Sequence, residues 1–178
     1  MKSLALLSPY PAQGKTTIAV NLAAGLARTG NRTFLVEAGD PTLLKMWFDY
    51  MGNSLPYQVK ISTDMGFDML ITPVSNISTA DFNEYDFLII DTGEDLPGHL
   101  EMLGNIDLIA ACTDLRAEDA DSLPALDQTI TRAIARQHAI DLVIPTIINT
   151  KEWSHNSEVL FLLMDYFGEE RIADMVPE

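Results

Sequence analysis

Cysteine is almost absent. Cys112 is the single one, so the chain can close no internal disulfide. Its place at the end of the apolar run Asp107 to Cys112 suits a small buried side chain rather than a reactive thiol. Positive charge is scarce as well: 11 lysines and arginines stand against 26 aspartates and glutamates, a formal charge of −15. That balance opposes electrostatic attraction to nucleic acid and to anionic lipid, and the cations, Arg28, Lys60 and Arg116 among them, are scattered rather than gathered in a patch. No apolar run approaches the roughly 18 residues of a membrane helix. The opening Met1 to Pro9 has too short an apolar stretch for a signal peptide and no small-residue cleavage site. His99, His138 and His155 share no metal-ligand spacing with one another or with Cys112, and are expected at the surface. There is no repeat, no low-complexity segment and no linker. These absences lead us to expect a cytoplasmic chain that binds neither nucleic acid nor a membrane directly.

What remains is an ordinary globular composition, 47% hydrophobic and 21% charged over 178 residues, suited to one domain spanning 1–178. Short apolar runs alternate with amphipathic stretches, the pattern of βαβ units. Strands are expected at Leu4 to Ser8, Thr33 to Glu37, Phe87 to Asp91, Leu108 to Cys112 and Leu142 to Asn149, with short ones at Tyr57 to Ser62, Asp68 to Thr72 and Ile172 to Val176. Helices are expected at Thr16 to Thr29 (Ile18, Leu22 and Leu26 on one face), Pro41 to Met51, Pro97 to Leu103, Leu123 to Gln137 (Leu123, Leu126, Ile130 and Ile134 on one face) and Ser157 to Phe167. The fold class is therefore α/β: a doubly wound, mostly parallel sheet flanked by helices, which binds ligands beyond the carboxyl ends of its strands. The acidic run Glu118 to Asp121 reads as a solvated helix start, with a partner site as the alternative.

Gln13-Gly14-Lys15-Thr16-Thr17 lies between the first strand and the first helix. That context is the one a phosphate-binding loop requires. Backbone N–H groups at a helix N-terminus point at phosphate and the helix dipole favours negative charge. Lys15 adds a point charge, and the Thr16 hydroxyl is placed to ligate Mg²⁺. The loop departs from the usual spacing: Pro9 stands where a first glycine is usual, and neither Pro9 nor Pro11 carries an N–H. Ala12 is acceptable there only with a negative φ. Phe87-Leu88-Ile89-Ile90-Asp91 is a buried strand ending in a carboxylate, so Asp91 is expected to hold Mg²⁺ with Thr16, and Gly93 lets the following loop respond to a terminal phosphate. Phe34 to Pro41 ends near two carboxylates, Glu37 and Asp40. Asp40 either orients an attacking water or N-caps the helix opened by Pro41. Asn149, after Ile147-Ile148, either bonds an adenine edge or forms a turn. Trp47, Phe48 and Tyr50 exceed what core packing needs from one short helix, which leaves room for a dimer or partner contact.

In this order the motifs resemble the ParA/MinD family of deviant Walker-A P-loop ATPases over nearly the whole chain. The residues that carry the resemblance are Gly14-Lys15-Thr16-Thr17 with Asn21-Leu22-Ala23, Leu35 to Pro41, Asp86 to Asp91, Asn149, and Val176-Pro177. The resemblance implies ATP and ADP as ligands, Mg²⁺, and an ATP-driven homodimer that positions cargo through a partner protein. It assigns Lys15 and Asp40 to catalysis, Gln13, Gly14, Lys15, Thr16, Thr17 and Asn149 to the nucleotide, and Thr16 and Asp91 to the metal. Tyr10 stands where the family has its signature lysine, so nucleotide binding is better supported than hydrolysis. The chain also stops just after Val176-Pro177, short of the family's further helices. The leading reading is a weak ATPase switch. The alternatives are a non-hydrolysing scaffold of the same fold, and an ATP-dependent ligase or kinase of the dethiobiotin-synthetase-like branch.

Overall fold

Parallel strands covered on both faces need apolar side chains at nearly every position, and the runs that satisfy this are the strands of the structure, a computed structural model. It describes residues 1–38, 44, 47–48, 58–72, 77–93, 96–148 and 150–176. The elements are β1 (Lys2–Leu7), α1 (Lys15–Arg28), β2 (Thr33–Glu37), β3 (Ile61–Ser62), β4 (Asp68–Ile71), β5 (Phe87–Asp91), α2 (Leu96–Leu103), β6 (Leu108–Thr113), α3 (Asp119–Ile134), β7 (Leu142–Pro145) and α4 (Trp153–Phe167). Seven strands form one sheet in the order β3-β4-β2-β5-β1-β6-β7. Every pairing we trace is parallel except β3 with β4. The doubly wound α/β class read from the alternation is the observed one. Of the helix expected over 41–51, only Leu44, Trp47 and Phe48 are described; all three are helical, and Leu44 is buried.

Two compact units divide the chain. Met1–Leu6 and Thr16–Asp107 make the first. In it β2 and β5 are buried along nearly their whole length, with Phe34, Leu35, Val36, Leu88, Ile89 and Ile90 at the centre. Glu37 and Asp91 are register partners, so both strands end at one level with a carboxylate. Helix α1 differs from expectation. It buries Ala19, Val20, Ala23 and Ala24, while Ile18, Leu22 and Leu26 are only half-buried. Small side chains let a helix backbone approach its neighbours closely, and that outweighs the larger apolar residues here. Gly30, with φ of 89°, ends the helix as expected. His99 is buried, not at the surface. It shares the inward side of the apolar helix α2 with Met102 and Leu103, three and four residues on.

Leu7–Lys15 and Leu108–Glu178 make the second unit. Pro145 ends β7 opposite Thr113, and the next N–H, that of Thr146, donates to Thr113 O at 2.7 Å. The strand expected at Ile172 to Val176 is a single bridge, Ile172 to Val143. Both long helices start four residues before the apolar periodicity does. The buried stripe of α3 is Asp119, Leu123, Asp127 and Ile130, in place of the expected Leu126 and Ile134. Asp127 is buried because its Oδ1 accepts the N–H groups of Ala139 (3.0 Å) and Ile140 (2.8 Å). Helix α4 buries Asn156, Val159, Leu163 and Phe167 and exposes Trp153, Leu162 and Phe161, the last at 68%. Cys112 is buried in β6, as expected. Among the described residues no helix is long and apolar enough to cross a membrane.

Candidate nucleotide-binding site

In the first unit, Asp91 closes β5 and is buried. The Thr16 hydroxyl, in the first turn of α1, donates to Asp91 Oδ2 at 2.5 Å. The segment after Asp91 is pinned by Thr92, whose N–H (3.2 Å) and hydroxyl (2.7 Å) both donate to Leu6 O. A hydroxyl and a carboxylate brought this close, with the Glu37 carboxylate on the adjacent strand end, are hard oxygen donors. They fit Mg²⁺, which takes few protein ligands and completes its shell from phosphates and water. Among the described residues no group of three or more His, Cys, Asp or Glu side chains could cage a metal alone.

In the second unit, the loop from Leu7 to Lys15 is built by side chains as well as backbone. Lys15 Nζ donates to Ser8 Oγ at 2.8 Å, and that hydroxyl donates to Tyr10 O at 2.6 Å. The loop lysine therefore folds over its own loop. Gly14 has φ of 79°, and a Cβ there would lie 3.1 Å from both Cβ and Oγ1 of Thr146. That crowding and that φ explain the glycine. Thr146 Oγ1 donates to Gln13 O at 2.8 Å. Ala12 corrects an expectation: its φ is +61°, left-handed rather than negative. The loop tolerates an L-residue there at a cost of about 1–2 kcal/mol.

Gln13 is expected among the nucleotide contacts; its side chain is engaged within the protein. It is fully buried, and its Nε2 donates to Asp114 Oδ1 (2.9 Å) and to Asp119 Oδ1 and Oδ2 (3.1 and 3.0 Å). Asp119 also accepts the Thr113 hydroxyl on Oδ2 at 2.5 Å. It is fully buried, so the acidic run Glu118 to Asp121 is not simply a solvated helix start. Burial pushes the Asp119 carboxyl above its usual range, with Asp114 adding to the rise and the bonds from Thr113 and Gln13 opposing it. Burial acts the same way on Asp114, but hydrogen bonds from Arg116 and Gln13 outweigh it and hold that carboxyl below its usual range. The signal for Asp119 was present in its spacing: Asp119, Leu123, Asp127 and Ile130 recur on one helical face.

Thr17 is exposed at the start of α1. Asp40 and Asn149 lie outside the described residues. The structure thus brings Thr16 to Asp91 in one unit, and Lys15, Gly14 and Gln13 into one loop in the other.

No protein-family model matches the chain. Over 99 residues it is 34% identical to the maintenance of carboxysome distribution protein A of Halothiobacillus neapolitanus, covering 56% of this chain and 41% of that protein. The chain thus spans about two fifths of the length of the curated relative it matches. Among solved structures, apo McdA of Cyanothece superposes with a TM-score of 0.79 at 15% identity, over all of this chain and 86% of the other. A cobyrinic acid a,c-diamide synthase of Mycobacterium smegmatis with bound ADP and magnesium gives 0.78 at 17% identity, over 99% and 86%. A plasmid partition protein of Borrelia burgdorferi gives 0.75 at 17%, over 99% and 90%. These likenesses give the fold, that of the P-loop NTPases, and the matched stretch makes the chain similar in sequence to part of a carboxysome-distribution protein.

Proposed function

We propose that the chain is a cytoplasmic ATP-binding switch, a weak ATPase that positions or partitions a cargo through a partner protein. The observation that carries this reading is the Thr16–Asp91 pair, 2.5 Å apart, with Thr16 following Lys15 at the start of α1. Lys15 and the first N–H groups of α1 would hold the β- and γ-phosphates, and Thr16 and Asp91 the Mg²⁺. When bound, that ion neutralises phosphate charge. Asp40 is the proposed hydrolytic carboxylate, Asn149 the adenine contact, and 1–178 the single nucleotide-binding domain. The nucleotide-loaded state is a homodimer. Support from relatives is at the level of their names: a carboxysome-distribution protein and plasmid partition proteins.

A second reading, a scaffold that holds nucleotide poorly, has its own observation. Pro9 and Pro11 lack N–H groups and the Tyr10 N–H is taken by Gln13 Oε1 at 3.2 Å, so the loop offers few donors before Ala12. The ligase or kinase reading rests on the fold's likeness to a diamide synthase alone, with no side-chain observation of its own.

Light scattering on the purified chain with ADP, ATP and a non-hydrolysable ATP analogue, each with Mg²⁺, tests the switch. The expected result is a dimer with ATP or the analogue and a monomer with ADP. A monomer under saturating ATP and Mg²⁺ would sink the switch and leave the scaffold.

A further inference from the structure

We propose that Asp114, Arg116 and Asp119, on the turn from β6 into α3, are positioning residues for the phosphate loop and act through Gln13 and Tyr10. The proposal rests on the nucleotide-binding reading for its purpose, but not for its geometry.

The side chain of Gln13 is held at both ends. Its Oε1 accepts the Tyr10 N–H at 3.2 Å, and its Nε2 donates to both Asp114 and Asp119. An amide nitrogen carries two hydrogens and can serve two carboxylates at once. Turning the amide over would set its carbonyl oxygen against two carboxylates and its N–H₂ against the Tyr10 N–H. The orientation is therefore fixed by chemistry rather than by assignment. Asp119 is fully buried, and each donor to its carboxylate offsets part of the cost of that burial, so the carboxylates hold Gln13 while Gln13 holds Tyr10.

Arg116 closes the circuit. Its Nε donates to Asp114 Oδ1 at 2.8 Å, its Nη2 pairs with Asp114 Oδ2, and its guanidinium carbon lies 5.2 Å from the centroid of the Tyr10 ring. A planar guanidinium can pair with a carboxylate along its edge and stack on an aromatic ring with its face. Tyr10 is thus gripped twice, by its N–H through Gln13 and by its ring through Arg116, and both grips converge on Asp114.

The consequence concerns preorganisation. Tyr10 sits between two prolines that fix their own φ and supply no donors. With its N–H and its ring both held, the segment 9–13 is set before any phosphate arrives, and less ordering entropy is lost on binding. Residues more than 100 positions away in sequence then tune affinity without touching nucleotide.

Amide hydrogen exchange of the ligand-free chain tests this, read at Tyr10 and, as a global reporter, at Ile89 in β5. Calorimetry with Mg-ADP runs in parallel. In Gln13→Met, which keeps the length and loses the hydrogen bonds at both ends of the amide, Tyr10 protection should fall by about tenfold, the worth of one hydrogen bond, with Ile89 much less affected. Asp119→Asn and Arg116→Ala should each lower Tyr10 protection by a smaller factor, and each should weaken ADP binding. Arg116→Ala changes a half-exposed side chain and guards against a failure to fold in the buried variants. Unchanged Tyr10 protection in Gln13→Met and Arg116→Ala would overturn the proposal, as would equal losses at Tyr10 and Ile89, which mark general destabilisation. Wild-type chain that shows the exchange pattern but binds no ADP would uphold the positioning and overturn the nucleotide reading instead.

Discussion

Thr16 and Asp91 are 75 residues apart in sequence and share a buried hydrogen bond of 2.5 Å, hydroxyl to Oδ2. One opens the helix that follows the phosphate loop and the other ends an apolar strand. Both groups are hard oxygen donors of the kind that suits Mg²⁺. If the pair serves the ion, Asp91→Asn should reduce the enhancement of ADP binding by Mg²⁺ by about 10–100-fold. Thr16→Ser, which keeps the hydroxyl, should stay within a few-fold of wild type. Calorimetry with Mg²⁺ and with EDTA reads this directly. An enhancement unchanged in Asp91→Asn would remove Asp91 from the site.

Gly14→Ala should destabilise the chain by about 1–3 kcal/mol, through a left-handed φ on an L-residue and a Cβ 3.1 Å from Thr146. Adding Thr146→Gly, which removes the Cβ as well as the Oγ1, relieves the contact but not the φ, so the double variant should recover only part of the loss. Urea midpoints of the four proteins separate the two contributions. Full recovery would mean that the backbone conformation costs nothing.

Asp127→Ala leaves the N–H groups of Ala139 and Ile140 without their acceptor. A loss of about 3 kcal/mol is expected. Asp127→Asn keeps an acceptor oxygen and should cost markedly less. Equal losses in urea denaturation would show that the charge, not the acceptor, holds the turn after α3.

Asp68 gives a pH dependence with a definite sign. Burial pushes its carboxyl up, but the hydroxyls of Ser62 and Tyr85 and the ammonium of Lys60 outweigh this and hold it below its usual range. A folded-state value below the unfolded one of about 3.9 stabilises the fold above that pH, and the gain is lost as pH falls through the folded value. The stability gap between wild type and Asp68→Asn should therefore be widest near neutrality, on the order of 1 kcal/mol since Lys60 is half-exposed. It should close below about pH 4. Thermal melts from acid to neutral pH check it, and a gap that widened in acid would reverse the assignment.

The parts of the fold that could be read in the sequence are those whose signal is local. Thr33–Glu37 and Phe87–Asp91 were legible to the residue because a strand buried on both faces leaves a continuous apolar run bounded by polar residues. Gly14-Lys15-Thr16 was legible because helix-start chemistry is short-range. The burial of Asp119 was not, because it depends on Gln13, 106 residues earlier, and an acidic run at a helix start has an adequate solvated explanation. Ala12 misled for a related reason: its +61° φ is imposed by the loop around it and not by its own preference. In α1 the large apolar residues suggested one face, while close approach selected the alanines.

The central claim is that this loop binds nucleotide, and titration calorimetry of the wild-type chain and of Lys15→Ala with Mg-ATP and Mg-ADP tests it most directly. The account predicts saturable binding to the wild type, weakened by about 10–100-fold in Lys15→Ala, the worth of one hydrogen bond to a charged group. Absence of saturable binding, or binding indifferent to Lys15→Ala, would contradict it.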